Sequence, residues 1–170
     1  MKKINLGIIG LGYWGPNLYR NFNNNKNVNV ISVADLDIKK TIQCSNNDPN
    51  LNTYTDYKRL ILDPKIDAVA IATPVNTHYK IAKYALNNNK HVFVEKPLAD
   101  SSLKCLELIK LSKKNKLILF VDHTFLYTEA VNKMKSISSK KEFGNIMYYD
   151  STRINLGLIQ NDINVIWDLA

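Results

Sequence analysis

Residues 3–15 of the chain are KINLGIIGLGYWG. An isoleucine-rich run ends at Gly10, and Gly10, Gly12 and Gly15 follow the G-x-G-x-x-G spacing. A polar, amphipathic segment over 17–23 comes next, so this stretch predicts a strand, a tight turn and the start of a helix. The first glycine would make the turn, the second would let a pyrophosphate approach the backbone, and the third would let the helix lie close to the strand. We also expect Gly12 to adopt a backbone angle that suits few residues other than glycine.

An acidic residue stands where the next strand should end. Asp35 follows the apolar run 28–34 and lies twenty positions after Gly15. A carboxylate at this spacing accepts hydrogen bonds from the adenosine ribose hydroxyls and repels a 2′-phosphate, which predicts NAD rather than NADP as the cofactor. The alternative is a cluster of turn glycines followed by an aspartate that caps a helix. The glycine spacing, the strand–turn–helix context and Asp35 together favour the dinucleotide site.

Length and composition set the bounds of the prediction. The 170 residues suffice for one domain, or for one domain and part of another. The formal net charge is +8, but the lysines are scattered and form no basic stripe interleaved with aromatic residues, so we expect no nucleic-acid partner. No stretch reaches transmembrane length, so we expect no membrane partner. Cys44 and Cys105 belong to no metal-binding or redox motif, which predicts reduced thiols, no metal site and a cytoplasmic protein.

Apolar runs of strand length alternate with helical periodicity along most of the chain. The predicted strands are 3–9, 28–34, 67–72, 91–95 and 117–122. The predicted helices are 14–24, 36–46, 56–62, 76–88 and 101–115. The runs at 69–72 and 92–94 lack alternation, as expected of strands buried on both faces of a parallel sheet. Repeated β–α units predict an α/β fold of the Rossmann type, a doubly wound parallel sheet.

The pattern changes after Asp122. A helix is predicted over 128–138, a turn at 143–145 and a longer, partly alternating strand over 146–154. We interpret these elements as the first helix and strand of a second, α+β domain.

Two domains are therefore predicted. Residues 1–122 would form the NAD-binding Rossmann domain, and residues 123–170 the start of a substrate and oligomerisation domain. The chain ends just after the apolar segment 165–167, whereas natural termini are usually polar, so we expect this second domain to be incomplete.

A second candidate motif follows the predicted strand 91–95. Glu95, Lys96 and Pro97 stand at its carboxyl end, and in an open α/β sheet the residues just past the carboxyl ends of strands face the ligand crevice. An acid and a base at that place suit a catalytic group. The alternative is a surface ion pair in a strand-to-helix loop.

Taken in order, these motifs resemble those of the glucose–fructose oxidoreductase, inositol dehydrogenase and rhizopine-catabolism (Gfo/Idh/MocA) family. The matching segments span nearly the whole chain and are Gly10–Asn17, Ala34–Asp35, Ala72–Pro74 with Asn76 and His78, and Glu95–Pro97. Three segments further resemble the family branch in surface-polysaccharide pathways, whose members oxidise UDP-N-acetyl-hexosamines or their uronates at carbon 3. They are Trp14–Asn17, His123–Tyr127 and Arg153–Gly157.

The resemblance implies roles for individual residues. Thr73, Pro74 and His78 would line the cofactor groove, Glu95 would contact the nicotinamide ribose, and Lys96 would be the catalytic residue beside the substrate hydroxyl. A lysine ammonium there can stabilise developing alkoxide charge or relay a proton. The predicted cofactor contacts are Gly10, Gly12, Tyr13, Trp14, Gly15, Asp35, Thr73, Pro74, His78, Glu95 and Lys96, and the candidate substrate contacts are Lys96, Tyr127, Arg153 and Asp168.

Some of these assignments leave an alternative open. Tyr13 and Trp14 could belong to the core instead of the crevice. His78 could be a polar residue at a helix start, while His91 and His123 are expected to be structural. Pro97 is expected to be cis, as prolines in tight catalytic loops sometimes are.

One departure from the family affects the functional prediction. In the family the Trp-Asp-Leu-Ala run leads into a histidine that pairs with the lysine, whereas here that run is residues 167–170 and ends the sequence. The prediction is NAD-dependent oxidation of a sugar secondary hydroxyl, with a nucleotide sugar as the favoured substrate, by a protein of which this chain resembles the N-terminal half. It would be a homo-oligomer once the second domain is complete. The alternatives are a non-catalytic dinucleotide-binding fragment that needs a partner chain, and an inositol or free-sugar dehydrogenase.

Overall fold

Six parallel strands form one sheet in the order β3-β2-β1-β4-β5-β6. The structure is a computed structural model, and it describes residues 3–152. The strands are β1 (Ile4–Ile9), β2 (Val28–Ala34), β3 (Asn52–Tyr54), β4 (Ala68–Ile71), β5 (His91–Glu95) and β6 (Leu119–Asp122). The helices are α1 (Gly15–Asn23), α2 (Ile38–Asn47), α3 (Tyr57–Leu62), α4 (Val75–Asn87), α5 (Ser102–Lys114) and α6 (Glu129–Ser138). This is the Rossmann arrangement, and it confirms the predicted fold class.

The strand order reverses at β1. This strand pairs with β2 on one side and with β4 on the other, where Leu6 lies opposite Ala68. In such sheets a ligand binds beyond the carboxyl ends of the strands at the point of reversal. The topology therefore predicts a ligand site at the loops after β1, β4 and β5.

A separate apolar core covers each face of the sheet. On one face Leu18 of α1 packs with Ile8 and Val33 from the strands. On the other face Leu60 of α3, Leu86 of α4 and Leu108 of α5 are fully buried against the strands. The central strands are buried on both faces, which explains why their sequences are continuously apolar.

Two short segments differ from the prediction. The third strand, Asn52–Tyr54, was not predicted, because three largely polar residues at a sheet edge carry no hydrophobic period. The strand predicted over 146–154 is wrong for residues 146–152, which form no strand; the remaining two positions lie outside the described residues. A strand needs a neighbour to accept and donate its backbone hydrogen bonds, and the described part of the chain after Asp122 contains no other strand.

The described residues divide into two compact units, 3–122 and 123–152. The second unit contains a 3-10 turn (Thr124–Tyr127), helix α6 and a second 3-10 turn (Lys141–Phe143). Within residues 3–152 no helix has both the length and the apolar character needed to cross a bilayer, and no three His, Cys, Asp or Glu side chains gather as a metal-binding group.

Candidate dinucleotide site at the carboxyl edge of the sheet

Two glycines of the loop after β1 are required by the protein's own packing. Gly10 has a φ of +94°, and a Cβ atom there would lie 2.5 Å from the carbonyl oxygen of Ala72. A Cβ atom at Gly15 would overlap the carbonyl oxygen of Gly10. The first glycine thus allows the turn beside β4, and the third allows α1 to approach β1, as the spacing predicted.

Gly12 is different, because no contact among the described residues requires a glycine there. A Cβ atom at this position would meet no atom of residues 3–152 within 4 Å, and Gly12 is not among the residues at positive φ. The expectation of an unusual backbone angle at Gly12 is therefore wrong, since the left-handed conformation belongs to Gly10. The open space beside Gly12 fits a group that approaches the backbone from outside, as a pyrophosphate does.

The first turn of α1 faces the same space without a capping side chain. Its N-cap residue Trp14 makes no side-chain hydrogen bond to the helix, and no acidic residue lies in the first turn. Helices α4 and α6 also begin without a side-chain cap, whereas side chains of Asp37, Asp56 and Ser101 cap α2, α3 and α5. The unsatisfied N–H groups and the positive end of the α1 dipole suit an anionic group.

Asp35 connects the end of β2 to the glycine loop. Its Oδ2 atom accepts a hydrogen bond from the Leu11 N–H at 2.6 Å, and its Oδ1 atom accepts one from the Asp37 N–H at 2.9 Å. Each carboxylate oxygen can accept a second hydrogen bond. The aspartate therefore shapes the glycine loop and retains acceptor capacity for a diol, a double role that sequence spacing did not reveal.

The loop after β4 packs directly against the glycine loop. A Cβ atom at Gly10 would lie 2.9 Å from Cγ2 of Thr73. The Thr73 hydroxyl accepts a hydrogen bond from the Thr77 hydroxyl at 2.7 Å, and Pro74 is the N-cap residue of α4. Thr73 thus lies against the glycine loop at Gly10, and Pro74 follows it at the start of α4.

His78 lies beneath this edge and not on its surface. The residue is only 1% exposed, and its two ring nitrogens lie within hydrogen-bond distance of the carbonyl oxygens of Thr73 and Pro97. A side chain in this position holds the loops after β4 and β5 and does not reach outward to a ligand.

Glu95 and Lys96 stand at the end of β5. Glu95 is 8% exposed and lies opposite Asp122 of β6, on the sheet face that also carries the stacked rings of Phe93 and Phe120. Burial, with a smaller effect from the Asp122 charge, raises the pKa of Glu95 to about 7. The following Lys96–Pro97 peptide bond is cis. Asp122 was not singled out in the sequence, although its place at the last position of β6 marks it as an edge residue.

Tyr13 and Trp14 project from the glycine loop into solvent. They are 75% and 50% exposed, and their rings meet edge to face with centroids 5.4 Å apart. The structure therefore excludes the alternative in which they are core residues. Both side chains are accessible to a ligand beside the glycine loop.

These features match a known family. The model of the oxidoreductase family GFO_IDH_MocA, NAD-binding Rossmann fold, matches residues 4–123. The chain belongs to the Gfo/Idh/MocA family. NAD is accordingly the cofactor class of this domain, and the open space at Gly12 together with the uncapped start of α1 fits it.

Individual Gfo/Idh/MocA proteins are similar along most of this chain. The 2,7-anhydro-N-acetylneuraminate hydratase of Escherichia coli K12 is 28% identical over 85% of the chain and 38% of its own length. The inositol 2-dehydrogenase/D-chiro-inositol 3-dehydrogenase of Lactiplantibacillus plantarum is 29% identical over 88% of the chain and 44% of its own length. The crystal structure of myo-inositol 2-dehydrogenase from Lactobacillus plantarum superposes with a TM-score of 0.77 at 30% identity, over 86% of this chain and 44% of that one.

The chain thus spans about two fifths of the length of these Gfo/Idh/MocA relatives. Of the predicted substrate contacts, Lys96 lies at the carboxyl edge, and Tyr127 is an exposed residue of the separate unit 123–152. Arg153 and Asp168 lie outside the described residues.

Proposed function

We propose that the carboxyl edge of the sheet binds NAD across the two halves of the Rossmann domain. Gly12 and the first turn of α1 would take the pyrophosphate, and Asp35 would take the adenosine ribose. Tyr13, Trp14, Thr73 and Pro74 would flank the cofactor. The observation that supports this proposal most strongly is the empty space beside Gly12, where no atom of the described residues lies within 4 Å of the position that a Cβ atom would take.

The nicotinamide half would lie over β4, β5 and β6, because each half of a Rossmann domain binds one mononucleotide. Glu95 ends β5 in this half, and Lys96 follows it directly. When bound, NAD supplies the hydride acceptor. Lys96 would bind the substrate hydroxyl and take up its proton while passing one of its own ammonium protons to the ionised carboxyl of Glu95, its neighbour in the chain, so that a positive charge remains beside the substrate oxygen.

For the substrate we propose a sugar or cyclitol with a secondary hydroxyl. Two candidates remain within that class. Residues 123–127 and 153–157 resemble the branch that oxidises UDP-N-acetyl-hexosamines or their uronates, which supports a nucleotide sugar. The similarity to inositol dehydrogenases supports inositol to the same degree. The third possibility is a non-catalytic NAD-binding fragment that acts only with a partner chain.

Two further proposals concern the location of the protein and the association of its subunits. The two free cysteines and the nicotinamide cofactor support a cytoplasmic location. Association of identical subunits is proposed for the protein with a complete second domain.

We predict that the chain binds NAD(H) at least about tenfold more tightly than NADP(H), equivalent to about 1.4 kcal/mol, because the Asp35 carboxylate repels a 2′-phosphate. Asp35→Asn should reduce this preference, because it removes the charge and keeps an oxygen that can accept the Leu11 N–H. Calorimetric titration with both cofactors measures the two affinities. Asp48→Asn removes the same charge at the C-cap of α2 and serves as the control. Equal affinity of the unchanged chain for both cofactors would contradict the prediction.

We predict that Lys96→Ala lowers turnover by about 10² to 10⁴, the usual contribution of general acid–base catalysis. Reduction of NAD is followed by absorbance with UDP-N-acetyl-hexosamines, their uronates, inositols and free sugars. The chain is assayed alone and joined to the C-terminal portion of an inositol dehydrogenase relative. Lys83→Ala, at an exposed lysine of α4 that pairs with Glu107, is the control and should not change the rate.

The substrate panel distinguishes the nucleotide-sugar, inositol and non-catalytic hypotheses. Turnover of a nucleotide sugar or of inositol identifies the substrate class. NAD binding without turnover of any substrate, in both forms of the protein, would favour the non-catalytic alternative. Turnover that is insensitive to Lys96→Ala would refute the role of the lysine.

A further inference from the structure

The side chain of His78 makes an unusual pair of contacts. It is the fourth residue of α4 and is buried between the loops that follow β4 and β5. Its Nδ1 atom lies 2.8 Å from the Pro97 carbonyl oxygen, and its Nε2 atom lies 2.7 Å from the Thr73 carbonyl oxygen. Both partners are backbone carbonyl oxygens, which accept hydrogen bonds and cannot donate them.

A neutral imidazole cannot satisfy both contacts. It carries one N–H group and one nitrogen lone pair, so in either tautomer a lone pair would face a carbonyl oxygen at hydrogen-bond distance. Only the imidazolium has an N–H group on each nitrogen. We propose that His78 is a buried imidazolium that donates to Thr73 and to Pro97, and that this cation is the positioning residue which holds the two loops of the nicotinamide half together.

Some features of the surroundings favour the charged form of the His78 ring and others oppose it. Burial disfavours the charged ring, and so does its place near the positive end of α4. Two charge-assisted hydrogen bonds favour it, each roughly twice as strong as a neutral one, and the low dielectric of the interior increases the repulsion that the neutral ring would meet. The ionisable residues are Glu95 at the end of β5 and Lys96 and Asp100 in the segment after it, while the segment 72–74 after β4 has none. A negative charge on Glu95 would favour the imidazolium and the Lys96 charge would oppose it.

The two acceptors explain why this cation matters to the site. Pro97 directly follows Lys96, and Thr73 packs against Gly10. The ring therefore joins the segment that carries the proposed catalytic lysine to the segment beside the glycine loop. Loss of the proton would leave one of the two carbonyl oxygens facing a lone pair and would release one loop.

Nitrogen NMR of the full chain labelled at histidine tests the proposal directly. The sequence contains three histidines, so His78→Gln assigns the His78 signals by difference. We expect both ring nitrogens of His78 to carry protons at pH 7–8. His91 is an internal comparison, because its Nδ1 atom accepts a hydrogen bond from the Ile118 N–H at 3.0 Å and must be unprotonated. A single protonated nitrogen on His78 across this range would overturn the proposal.

Cofactor affinity tests the positioning role. Glutamine at position 78 can donate to one carbonyl oxygen but would present its own oxygen to the other, so His78→Gln should raise the Kd for NAD about tenfold. Loss of the proton at high pH should weaken binding in the unchanged chain and have no such effect in the variant. His91→Gln, at the opposite edge of the sheet, should leave NAD affinity unchanged. Unaltered NAD binding by a folded His78→Gln chain would refute the positioning role.

The NAD readout rests on the proposed function, whereas the NMR readout does not. If the unchanged chain failed to bind NAD, the proposed function would fail and the nitrogen signals would still decide the charge of His78.

Discussion

Gly12→Val is expected to abolish NAD binding and to leave the sheet folded. A Cβ atom at this position would meet no atom of the described residues within 4 Å, so we expect the valine to fit the protein and to occupy the space that the pyrophosphate needs. A hydrogen bond to a charged group contributes about 1.5–3 kcal/mol, and the valine should displace the pyrophosphate from at least one of them. We therefore expect the Kd to rise by at least about 10- to 100-fold. Quenching of intrinsic fluorescence by NADH measures binding, and circular dichroism checks the fold.

Gly15→Val is the matched comparison. It introduces the same side chain three positions away, where a Cβ atom would overlap the Gly10 carbonyl oxygen. This variant should lose stability as well as binding, because α1 would have to move off β1. If Gly12→Val also unfolded, or if it bound NAD normally, the assignment of the open space to the pyrophosphate would be wrong.

Glu95→Gln is expected to stabilise the protein at alkaline pH. The pKa of Glu95 is raised from its usual 4.5 to about 7, first by burial and then by the Asp122 charge. Between pH 4.5 and 7 the unfolded chain ionises this carboxyl while the native chain keeps it protonated, so the free energy of unfolding falls as pH rises. At pH 8 the variant should be more stable than the unchanged protein by about 2–3 kcal/mol, whereas near pH 4 the two should be alike.

Urea unfolding at several pH values measures this difference. Glu107→Gln is a suitable control, because hydrogen bonds from Tyr79 and Lys83 lower the pKa of Glu107 instead of raising it. That substitution should give no gain in stability at pH 8. A Glu95→Gln variant with the same pH dependence as the unchanged protein would show that the Glu95 carboxyl is ionised as readily in the native state as in the unfolded chain.

Local sequence patterns were sufficient for much of the fold. The strand His91–Glu95 could be predicted from its unbroken apolar run and the helix Tyr57–Leu62 from its helical periodicity, each to within a residue. Asn52–Tyr54 could not be predicted, since its strand character comes from pairing with β2 alone. For residues 146–152, alternation in the sequence suggested a strand, but alternation does not supply a hydrogen-bonding neighbour.

The candidate site could be predicted from the sequence only in part. The spacing of Gly10 and Gly15 predicted a turn and a close approach of α1, and the structure shows the contact of Gly15 with Gly10 within one β–α unit. The contact of Gly10 with Ala72, the bond from Leu11 to Asp35 and the contact of His78 with Pro97 depend on segments that are distant in sequence. No local pattern reports such contacts, so the roles of these side chains in shaping the loops needed the structure.

The order of the strands also has a consequence for synthesis on the ribosome. β1 pairs with β4, and Leu6 is translated 62 residues before its partner Ala68. At about 5–20 residues per second, one edge of β1 stays unpaired for roughly 3–12 s until β4 has been synthesised. During that interval the nascent chain presents an open, apolar strand edge, the kind of surface that other chains can pair with. One of the two central strands of the finished sheet therefore has an open edge during synthesis, and we expect a chaperone at the tunnel exit to protect it there.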